Sequence, residues 1–464
     1  MKVALYTPMP PARTGVAHYS AMLIPALGEQ VELEVIDSDN RQPATDNRIY
    51  QLGNNPHHEW IYKAGMQHPG VIVLHDIVLH HLIVEMTLAR GDLQGYVAAL
   101  EASHGEAGAA WARGRAAGLH SEMGNFLLPA SIDVANRSSA VIVHNRYAAD
   151  RLRSFGVRTP THVVPHPYQH QELPPSTRDE VRAQFGYSDR DRIIGLFGYL
   201  TSAKRSDVVL EAFDRCRSNP DLQLLVVGEP APNIDIIPFG GERIQFTGYV
   251  PDEDFPSFFA AVDRLVNLRY PTAGEMSGTL IRAFDAGKPV AVSDYAQFAE
   301  LPDDCVVKIP FGDSETESVA DFFVRDLPDP AAAQRKWLEE NARLDMTVAG
   351  YLKACSGGLQ AAGALKPAAT LPLFPRLEVV RAEVNMLTIR NIGDFTLRCR
   401  EYGEPAYQLI MNGRWLNLPR DLSPGEEATI EIPAELRGQR LELVHALQGV
   451  PIVEGEAWAR VTIH

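Results

Sequence analysis

Short apolar runs alternate with longer segments of helical periodicity from residue 1 to about 165. Runs of this kind are typical of buried strands in a parallel sheet that has helices on both faces. The predicted strands are Val3–Tyr6, Leu33–Ile36, Ile49–Leu52, Val71–Leu74 and Val141–Val143. The segment from about Val84 to Ser131 is longer than a simple crossover and rich in Ala, Leu, Glu and Arg. It therefore predicts at least two additional helices in this domain.

A second alternating set of runs predicts another parallel α/β unit. Its strands are Ile193–Gly198, Leu222–Val227, Arg243–Phe246, Leu265–Leu268, Pro289–Val292 and Val306–Ile309. The proline-containing stretch 166–177 is the expected hinge between the two units. Asp329 followed by Pro330 predicts a helix start, with helical periodicity continuing to Leu352.

The character of the sequence changes after residue 355. Residues 356–375 are rich in Gly, Ala and Pro, which is typical of a linker. Short alternating runs follow, separated by turn signals at Asn412-Gly413 and Ser423-Pro424-Gly425. This pattern predicts an immunoglobulin-like β-sandwich. The predicted domains are thus 1–170, 171–328 and 376–464. The linker 356–375 leads into the last of these three.

Length, charge and cysteine content exclude several classes of function. A chain of 464 residues is long enough for two or three domains, and its net charge of -16 argues against nucleic acid and against broad docking on anionic lipid. The four cysteines form no CxxC pair, which argues against structural zinc and favours a reduced, cytoplasmic setting. The first apolar run is too short for a signal peptide, and no run approaches the roughly 20 apolar residues of a transmembrane helix.

The clearest candidate site is the small-residue loop before a predicted helix over 278–286. Its candidate ligand-binding residues are Gly274, Glu275, Met276, Ser277, Gly278 and Thr279. A helix N-terminus offers unpaired N–H groups to phosphate, whereas a carboxylate such as Glu275 is suited to accept hydrogen bonds from hydroxyls. Phosphate and hydroxyls in one pocket indicate a nucleotide sugar.

Four further candidates follow predicted strands, where open α/β folds bind ligands. Gly15 follows the first strand, His75 the strand 71–74, and Gly228 the strand 222–227. Gly198 ends another strand and leads to the adjacent cations Lys204 and Arg205, which suit a diphosphate. Each also has a plain structural explanation: an ordinary turn, a structural histidine, a loop glycine or a solvated basic pair.

Together these motifs resemble the retaining glycosyltransferases of family 4 over residues 1 to about 355. The resemblance rests on the sequences at 11–17, 74–76, 141–145, 163–166, 197–198 with 204–205, 246–250, and 274–290. It implies the GT-B fold, in which two Rossmann-like domains face each other across a cleft. The C-terminal domain would bind the nucleotide sugar, the N-terminal domain most of the acceptor, and residues 329–355 would cross back to the first domain.

The resemblance also implies roles for single residues. Gly15 would approach the donor diphosphate, and His75 would bond a hydroxyl of the reacting sugar. Lys204 and Arg205 match the basic pair that stabilises the leaving diphosphate, and Glu275 would contact the transferred sugar.

Three positions depart from the family pattern. The first glutamate of the usual pair is displaced by one place, to Glu275, and the second, which normally binds the ribose, is Arg282; Asp285 is a substitute candidate. The basic residue usual after the glycine of the basic loop is Tyr199. Some bacterial members carry a similar Gly-Glu-x-Ser-Gly variant, so the departures indicate a subgroup.

The implied activity is hexosyl transfer from a nucleotide sugar to a glycan, lipid-linked or other hydroxyl, with retention of configuration and no metal or other cofactor. A bacterial polysaccharide or glycoconjugate pathway is expected, in the cytoplasm or peripherally at the inner membrane face. The alternatives are a related GT-B activity (a phosphorylase or epimerase) and a non-catalytic nucleotide-sugar-binding scaffold. Residues 376–464 are expected to dock a protein partner, the alternatives being a capping role or sugar binding through Trp415 or Trp458.

Overall fold

The computed structural model of the chain describes residues 1–12, 14–39, 41, 43–116, 118, 122–230, 243–251, 253–310, 312, 314–356, 377–392, 397, 399, 407–412, 414–447, 450–451 and 459–462. The chain forms two compact units. The first comprises Met1–Pro8, Val31–Val163 and Lys353–His464, and the second comprises Met9–Gln30 and Val164–Leu352.

A six-stranded parallel sheet organises the first unit, in the order β2-β1-β3-β4-β5-β6. Its strands are β1 (Lys2–Tyr6), β2 (Glu32–Ile36), β3 (Arg48–Leu52), β4 (Val71–Leu74), β5 (Ala140–Val143) and β6 (Thr161–Val163). All five predicted strands are confirmed. The sixth was not predicted, because this edge strand is only partly buried and Val163 is 47% exposed, so it has no continuous apolar run.

A second six-stranded parallel sheet lies in the second unit, in the order β12-β11-β10-β7-β8-β9. Its strands are β7 (Arg192–Phe197), β8 (Leu222–Val227), β9 (Ile244–Phe246), β10 (Arg264–Asn267), β11 (Val290–Ser293) and β12 (Val307–Ile309). Every predicted strand of this set is confirmed. Both faces of the sheet are apolar: Phe259 and Phe284 pack on one side, Phe213 and Phe322 on the other.

Fifteen helices are present in the described ranges, and none of them is long and apolar enough to span a membrane. They are α1 (Gly15–Gly28), α2 (Glu59–Gln67), α3 (His80–Met86), α4 (Leu93–Ala116), α5 (Glu122–Leu127), α6 (Ile132–Arg137), α7 (Arg146–Ser154), α8 (Thr177–Gln184), α9 (Ser206–Arg215), α10 (Phe255–Ala261), α11 (Gly278–Asp285), α12 (Ala296–Ala299), α13 (Glu315–Val324), α14 (Ala331–Asn341) and α15 (Leu344–Ser356). Helices α3, α4 and α5 account for the additional helical segment predicted between β4 and β5.

Two helices, α14 and α15, fill the stretch for which continuous helical periodicity was predicted from Asp329 to Leu352. Pro330, expected as the first helical residue after an Asp329 N-cap, is itself the N-cap, so the helix begins one place later, at Ala331. Asp329 Oδ1 accepts a hydrogen bond from the N–H of Ala331 at 2.9 Å. Within the second unit, α15 meets α1 through a 2.9 Å hydrogen bond between the hydroxyls of Tyr19 and Tyr351.

The C-terminal region is antiparallel and β-rich, as the turn signals predicted. Its strands are β13 (Leu377–Ala382), β14 (Met386–Asn391), β15 (Tyr407–Met411), β16 (Arg414–Asn417), β17 (Glu427–Glu431), β18 (Arg440–Leu447), β19 (Val450–Pro451) and β20 (Ala459–Thr462). They form one sheet β13-β14-β17 and another β16-β15-β18-β19 in which β20 also pairs with β18. The immunoglobulin-like classification stays a prediction.

Both predicted turns of this region lie between strands that the structure describes. Met411 pairs with Arg414 across the predicted Asn412-Gly413 hairpin, and Asn412 has a φ of 47°. The N–H of Glu426 bonds to the carbonyl of Ser423 at 3.0 Å and closes the second turn. Gly413, Trp458, the side chain of Trp415 and the predicted linker beyond Ser356 lie outside the described residues.

Candidate functional site

Glycines bring backbone segments close together at the carboxyl edge of the second sheet. Gly198 follows β7 with a φ of 85°, and Gly228 follows β8 with a φ of 141°. A Cβ at Gly228 would lie 2.3 Å from the carbonyl oxygen of Gly198, and one at Gly198 would lie 2.6 Å from Nζ of Lys204. Both positions therefore require glycine, and both border the basic loop.

Lys204 ends a single 3-10 turn, Ser202–Lys204, directly after this edge. Its Nζ donates to the carbonyl of Phe197 at 3.1 Å, which leaves two of its three N–H groups without an acceptor in the described part of the chain. Burial lowers the pKa of Lys204 well below its ordinary value; the nearby charge of Arg269 lowers it further, and that of Glu275 opposes the shift. The charges of Arg269 and Glu275 therefore both act on this amine.

Arg205 does not form a basic pair with Lys204, which corrects the predicted role. Arg205 is 3% exposed. Its guanidinium donates two hydrogen bonds to the buried carboxylate of Glu315, from Nη2 to Oε2 at 2.6 Å and from Nε to Oε1 at 3.2 Å. Arg205 also has a left-handed backbone, with a φ of 56°. Its charge is neutralised inside the fold, between the loop before α9 and the first turn of α13.

Glu275 is held by three hydrogen bonds in the loop between β10 and α11. Oε2 accepts from Thr272 Oγ1 and from the N–H of Ala273, both at 2.9 Å, and Oε1 accepts from Nε of Arg269 at 3.0 Å. Gln297 braces the same loop by donating to Thr272 Oγ1 and to the Glu275 carbonyl. The Glu275 side chain is 23% exposed, so a ligand can reach it.

Arg269 is a functional candidate that the sequence analysis missed. It follows β10 at the same edge of the sheet, and its side chain is 11% exposed. Nη1 donates to the Leu268 carbonyl at 2.8 Å in addition to the Nε bond with Glu275. The available signal was a cation directly after a buried strand and directly before the glycine-containing loop.

The N-terminus of α11 offers backbone N–H groups next to Glu275. Ser277 caps the helix by accepting from the N–H of Leu280 at 3.3 Å, and its hydroxyl donates to Asn267 Oδ1 at 3.0 Å. The hydroxyl donor of Ser277 is therefore engaged. The N–H groups of Gly278 and Thr279 have no acceptor among the described residues.

The remaining loop residues differ in what they can contribute. Gly274, with a φ of 74°, shapes the turn before Glu275. The side chain of Met276 packs against the apolar core of the second sheet, so its expected contact with a donor would have to come from its backbone. Gly278 is exposed, and a Cβ there would meet no atom within 4 Å. Glycine at 278 is thus not required by the fold itself.

The structure shows the surroundings of the residues that depart from the family pattern. Tyr199 is 52% exposed. Nη2 of Arg282 lies 3.1 Å from Nε2 of His18, with the guanidinium carbon 5.3 Å from the centre of the Phe255 ring. Asp285 accepts from Nδ1 of His170 at 2.7 Å. Arg282 and Asp285 line one pocket of about 730 Å³ in the second unit, together with His18 and His170.

Gly15 begins α1, which belongs to the second unit, and Thr14 caps this helix through a 3.4 Å bond from the N–H of Val16. A Cβ at Gly15 would meet no atom within 4 Å, so the fold does not require glycine there.

His75 follows β4 in the first unit. Its Nε2 lies 2.5 Å from Gln51 Oε1 at the neighbouring strand β3, and its ring centre lies 4.9 Å from that of His144, which follows β5. The ends of three adjacent strands thus bring two imidazoles and an amide together. His144 lies in one of the motifs that carry the family resemblance, but no role was predicted for it.

The site in the second unit has the parts needed to bind a sugar diphosphate. Lys204 and Arg269 supply positive charge, the first turn of α11 supplies N–H donors, and Glu275 supplies a carboxylate acceptor. Cations and backbone donors suit phosphate, whereas a carboxylate suits a hydroxyl. Arg205 and the Ser277 hydroxyl are engaged elsewhere.

Part of the second unit is also similar to a known protein family. Residues 191–326 match the family model described as "Glycosyl transferases group 1". No curated protein matches the sequence.

Solved structures match across most of the chain. HepE from Anabaena in complex with UDP-glucose is 17% identical; the match covers 76% of this chain and 100% of that chain, with a TM-score of 0.52. Sucrose-phosphate synthase from Thermosynechococcus elongatus is 14% identical and covers 76% of this chain and 97% of its own, with a TM-score of 0.50. The chain thus has the GT-B fold, and its residues 191–326 are similar to the group 1 glycosyl transferases.

Proposed function

We propose that this protein is a retaining glycosyltransferase that moves a hexosyl group from a nucleotide-diphosphate sugar to an acceptor hydroxyl. The observation that carries the proposal is the cluster of Lys204, Glu275 and the α11 N-terminus inside the segment similar to group 1 glycosyl transferases. UDP-sugars are the first donors to test, because the similar HepE structure contains UDP-glucose.

In the proposed reaction, the bond between the anomeric carbon and the diphosphate oxygen breaks and its electron pair stays on that oxygen. The acceptor oxygen forms the new bond on the same face, and the acceptor proton passes to the departing diphosphate. Negative charge therefore grows on the diphosphate in the transition state, where fixed cations and N–H donors lower the barrier most. Glu275 would orient the sugar through its hydroxyls, and no metal or cofactor is invoked.

The family resemblance also bears on the wider setting of the reaction. The family resemblance favours bacterial polysaccharide or glycoconjugate synthesis on the cytoplasmic side, with a glycan or lipid-linked acceptor and His75 near the reacting sugar. The C-terminal β-rich region would then dock a protein partner.

The test is a thermal-shift and hydrolysis screen of the intact protein against UDP-, GDP- and ADP-sugars, with and without EDTA. A ligand that binds only the folded state raises the melting temperature. We expect one nucleotide series to stabilise the protein and to release its diphosphate despite EDTA. Lys204→Ala and Glu275→Gln should each reduce that release by roughly 100-fold or more, because each removes a transition-state contact.

Glu340→Gln is the matched control for Glu275→Gln, since that carboxylate is 60% exposed in α14. Stabilisation without turnover, even with an acceptor panel, would favour the non-catalytic binding protein. Near-normal turnover by both site variants would contradict the assignment of the site.

A further inference from the structure

One cation is missing from the place where the family resemblance leads one to expect it. Tyr199 stands after Gly198 instead of a basic residue, and its half-exposed ring carries no positive charge. Arg205 cannot replace that charge, because its guanidinium is buried against Glu315. In the loop 198–205, Lys204 is therefore the one cation left to offset the negative charge of a leaving diphosphate.

Arg269 supplies a second cation from a different strand. Its guanidinium has five N–H groups, of which two have acceptors within the described residues: Nε bonds Glu275, and Nη1 bonds the Leu268 carbonyl. The backbone is fixed as well, because the N–H of Arg269 donates to Ser293 Oγ at 2.9 Å. Three N–H groups of an otherwise anchored, largely buried guanidinium thus have no acceptor among the described residues.

The position of Arg269 also joins the two halves of the site. It bonds the carboxylate that would bind the sugar, and its charge acts on Lys204, which would bind the diphosphate. A planar guanidinium can bond one carboxylate oxygen and still present a second edge to phosphate.

We propose that Arg269 contacts the donor diphosphate directly, as the second cation of the site, in place of the basic residue that Tyr199 replaces. This inference rests on the proposed function, since it names a further residue of the same site. The competing role is structural: Arg269 would only neutralise Glu275 and hold the loop before α11.

The test compares Arg269→Gln and Arg269→Lys with the wild-type protein, and uses Arg217→Gln as control because that side chain is 70% exposed. Calorimetry measures the affinity for UDP, ADP and GDP, and for the nucleoside of whichever binds. We expect Arg269→Gln to weaken diphosphate binding by about 10- to 100-fold with unchanged nucleoside binding, because a charge-assisted bond to the phosphate is lost. Arg269→Lys should lose less, roughly 3- to 10-fold, since it keeps the charge but not the planar fork.

Relocating the charge gives a second readout that a structural role would not produce. In the Arg269→Gln background, Tyr199→Arg returns a cation to the loop after Gly198 and should recover at least about tenfold of the diphosphate affinity. A variant with normal diphosphate affinity, lower turnover and no rescue would overturn the proposal in favour of positioning alone. Should Arg269→Gln not fold, unchanged diphosphate affinity of Arg269→Lys would overturn it equally.

Failure of this inference is distinguishable from failure of the proposed function. If Lys204→Ala and Glu275→Gln abolish turnover while the Arg269 variants behave like Arg217→Gln, only the role of Arg269 is overturned. If the wild-type protein binds none of the three diphosphates or their sugars, the proposed function is overturned, and the role of Arg269 with it.

Discussion

The two carboxylate oxygens of Glu275 are not equivalent, and this difference suits recognition of a hydroxyl. Oε2 accepts two hydrogen bonds, from Thr272 and Ala273, whereas Oε1 accepts one, from Arg269. An ionised carboxylate has about four lone-pair positions, so Oε1 keeps one for a ligand. The bonds from the loop fix where that remaining lone pair lies, which is how a flexible glutamate side chain becomes a positioned acceptor.

Two glycines of the site should respond in opposite ways to the same substitution. Gly228→Ala places a Cβ 2.3 Å from a backbone oxygen at a φ of 141°, so we expect it to destabilise the protein by about 1–3 kcal/mol. Gly278→Ala meets no atom within 4 Å and should leave stability unchanged or slightly higher. If diphosphate approaches the α11 backbone, the added methyl group should nevertheless weaken donor binding roughly tenfold.

Melting temperature and nucleotide affinity, measured on both variants, separate the two effects. A Gly278→Ala protein of normal stability and normal affinity would contradict binding of phosphate at the start of α11.

A buried histidine makes the first unit sensitive to acid. His104 is 4% exposed, its Nε2 accepts from the N–H of Ala130 at 3.0 Å, and burial lowers its pKa from 6.5 to about 3. Between these two pKa values His104 binds a proton in the unfolded chain but not in the folded chain. The stability that its neutral form contributes is therefore fully present above pH 6.5 and is lost as the pH falls towards 3. From pH 7.5 to 5 this one group should remove about 2 kcal/mol of unfolding free energy.

The measurement is urea unfolding of the wild-type protein and of His104→Gln at both pH values. The Gln amide oxygen can still accept from Ala130 but does not titrate, so the loss of stability on acidification should be about 2 kcal/mol smaller in the variant. Equal losses in the two proteins would contradict a neutral, buried His104.

At the level of elements, continuous apolar runs predicted strands well because parallel strands buried on both faces must be apolar throughout. The edge strand β6 escaped detection because it is only partly buried. The fate of Arg205 could not be predicted, because its partner Glu315 lies 110 residues away and the pairing depends on how α13 packs beside α9. Two adjacent basic residues in a sequence indicate positive charge, but they do not show whether each side chain faces the site or the interior of the fold.

The Arg205–Glu315 ion pair should be a stability element and not part of the donor site. Both residues are 3% exposed, so Glu315→Ala leaves a buried guanidinium without its partner and should cost about 3–5 kcal/mol of unfolding free energy. Glu317→Ala, in the same helix and exposed, is the matched control.

Replacing both members, Arg205→Met with Glu315→Leu, should restore most of the lost stability, because no unpaired charge then remains buried. Chemical denaturation checks the three proteins. A stable Glu315→Ala variant that instead lost donor affinity would return Arg205 to the donor site.

At the scale of the whole molecule, the order of motifs predicted the GT-B fold more securely than any one motif did. Two sets of alternating runs became two six-stranded parallel sheets, and the change of pattern after residue 355 became an antiparallel β-rich region. The sequence did not predict that α1 groups with the second unit, because grouping depends on long-range contacts. Nor did it identify Arg269, whose bond to Glu275 depends on how the loop after β10 folds.

The C-terminal β-rich region buries apolar side chains along its strands. Leu387, Ile389, Leu409, Leu441 and Leu443 are all fully buried, and they alternate with more exposed positions along their strands. Among the described residues the strands of this region pair only with one another, which favours independent folding. The residues that form the candidate donor site all precede it, in the second unit.

We therefore expect a chain that ends at residue 371 to remain folded and to bind the same nucleotide as the full chain, within a few-fold in affinity. Thermal unfolding and calorimetric titration of the two proteins provide the measurement, and the isolated segment 372–464 should give its own cooperative transition. Because residues from 353 onward group with the first sheet, the opposite outcome is informative too. An insoluble core, with an isolated segment that does not fold, would mean that the β-rich region is an integral layer of the first unit and not a separate module.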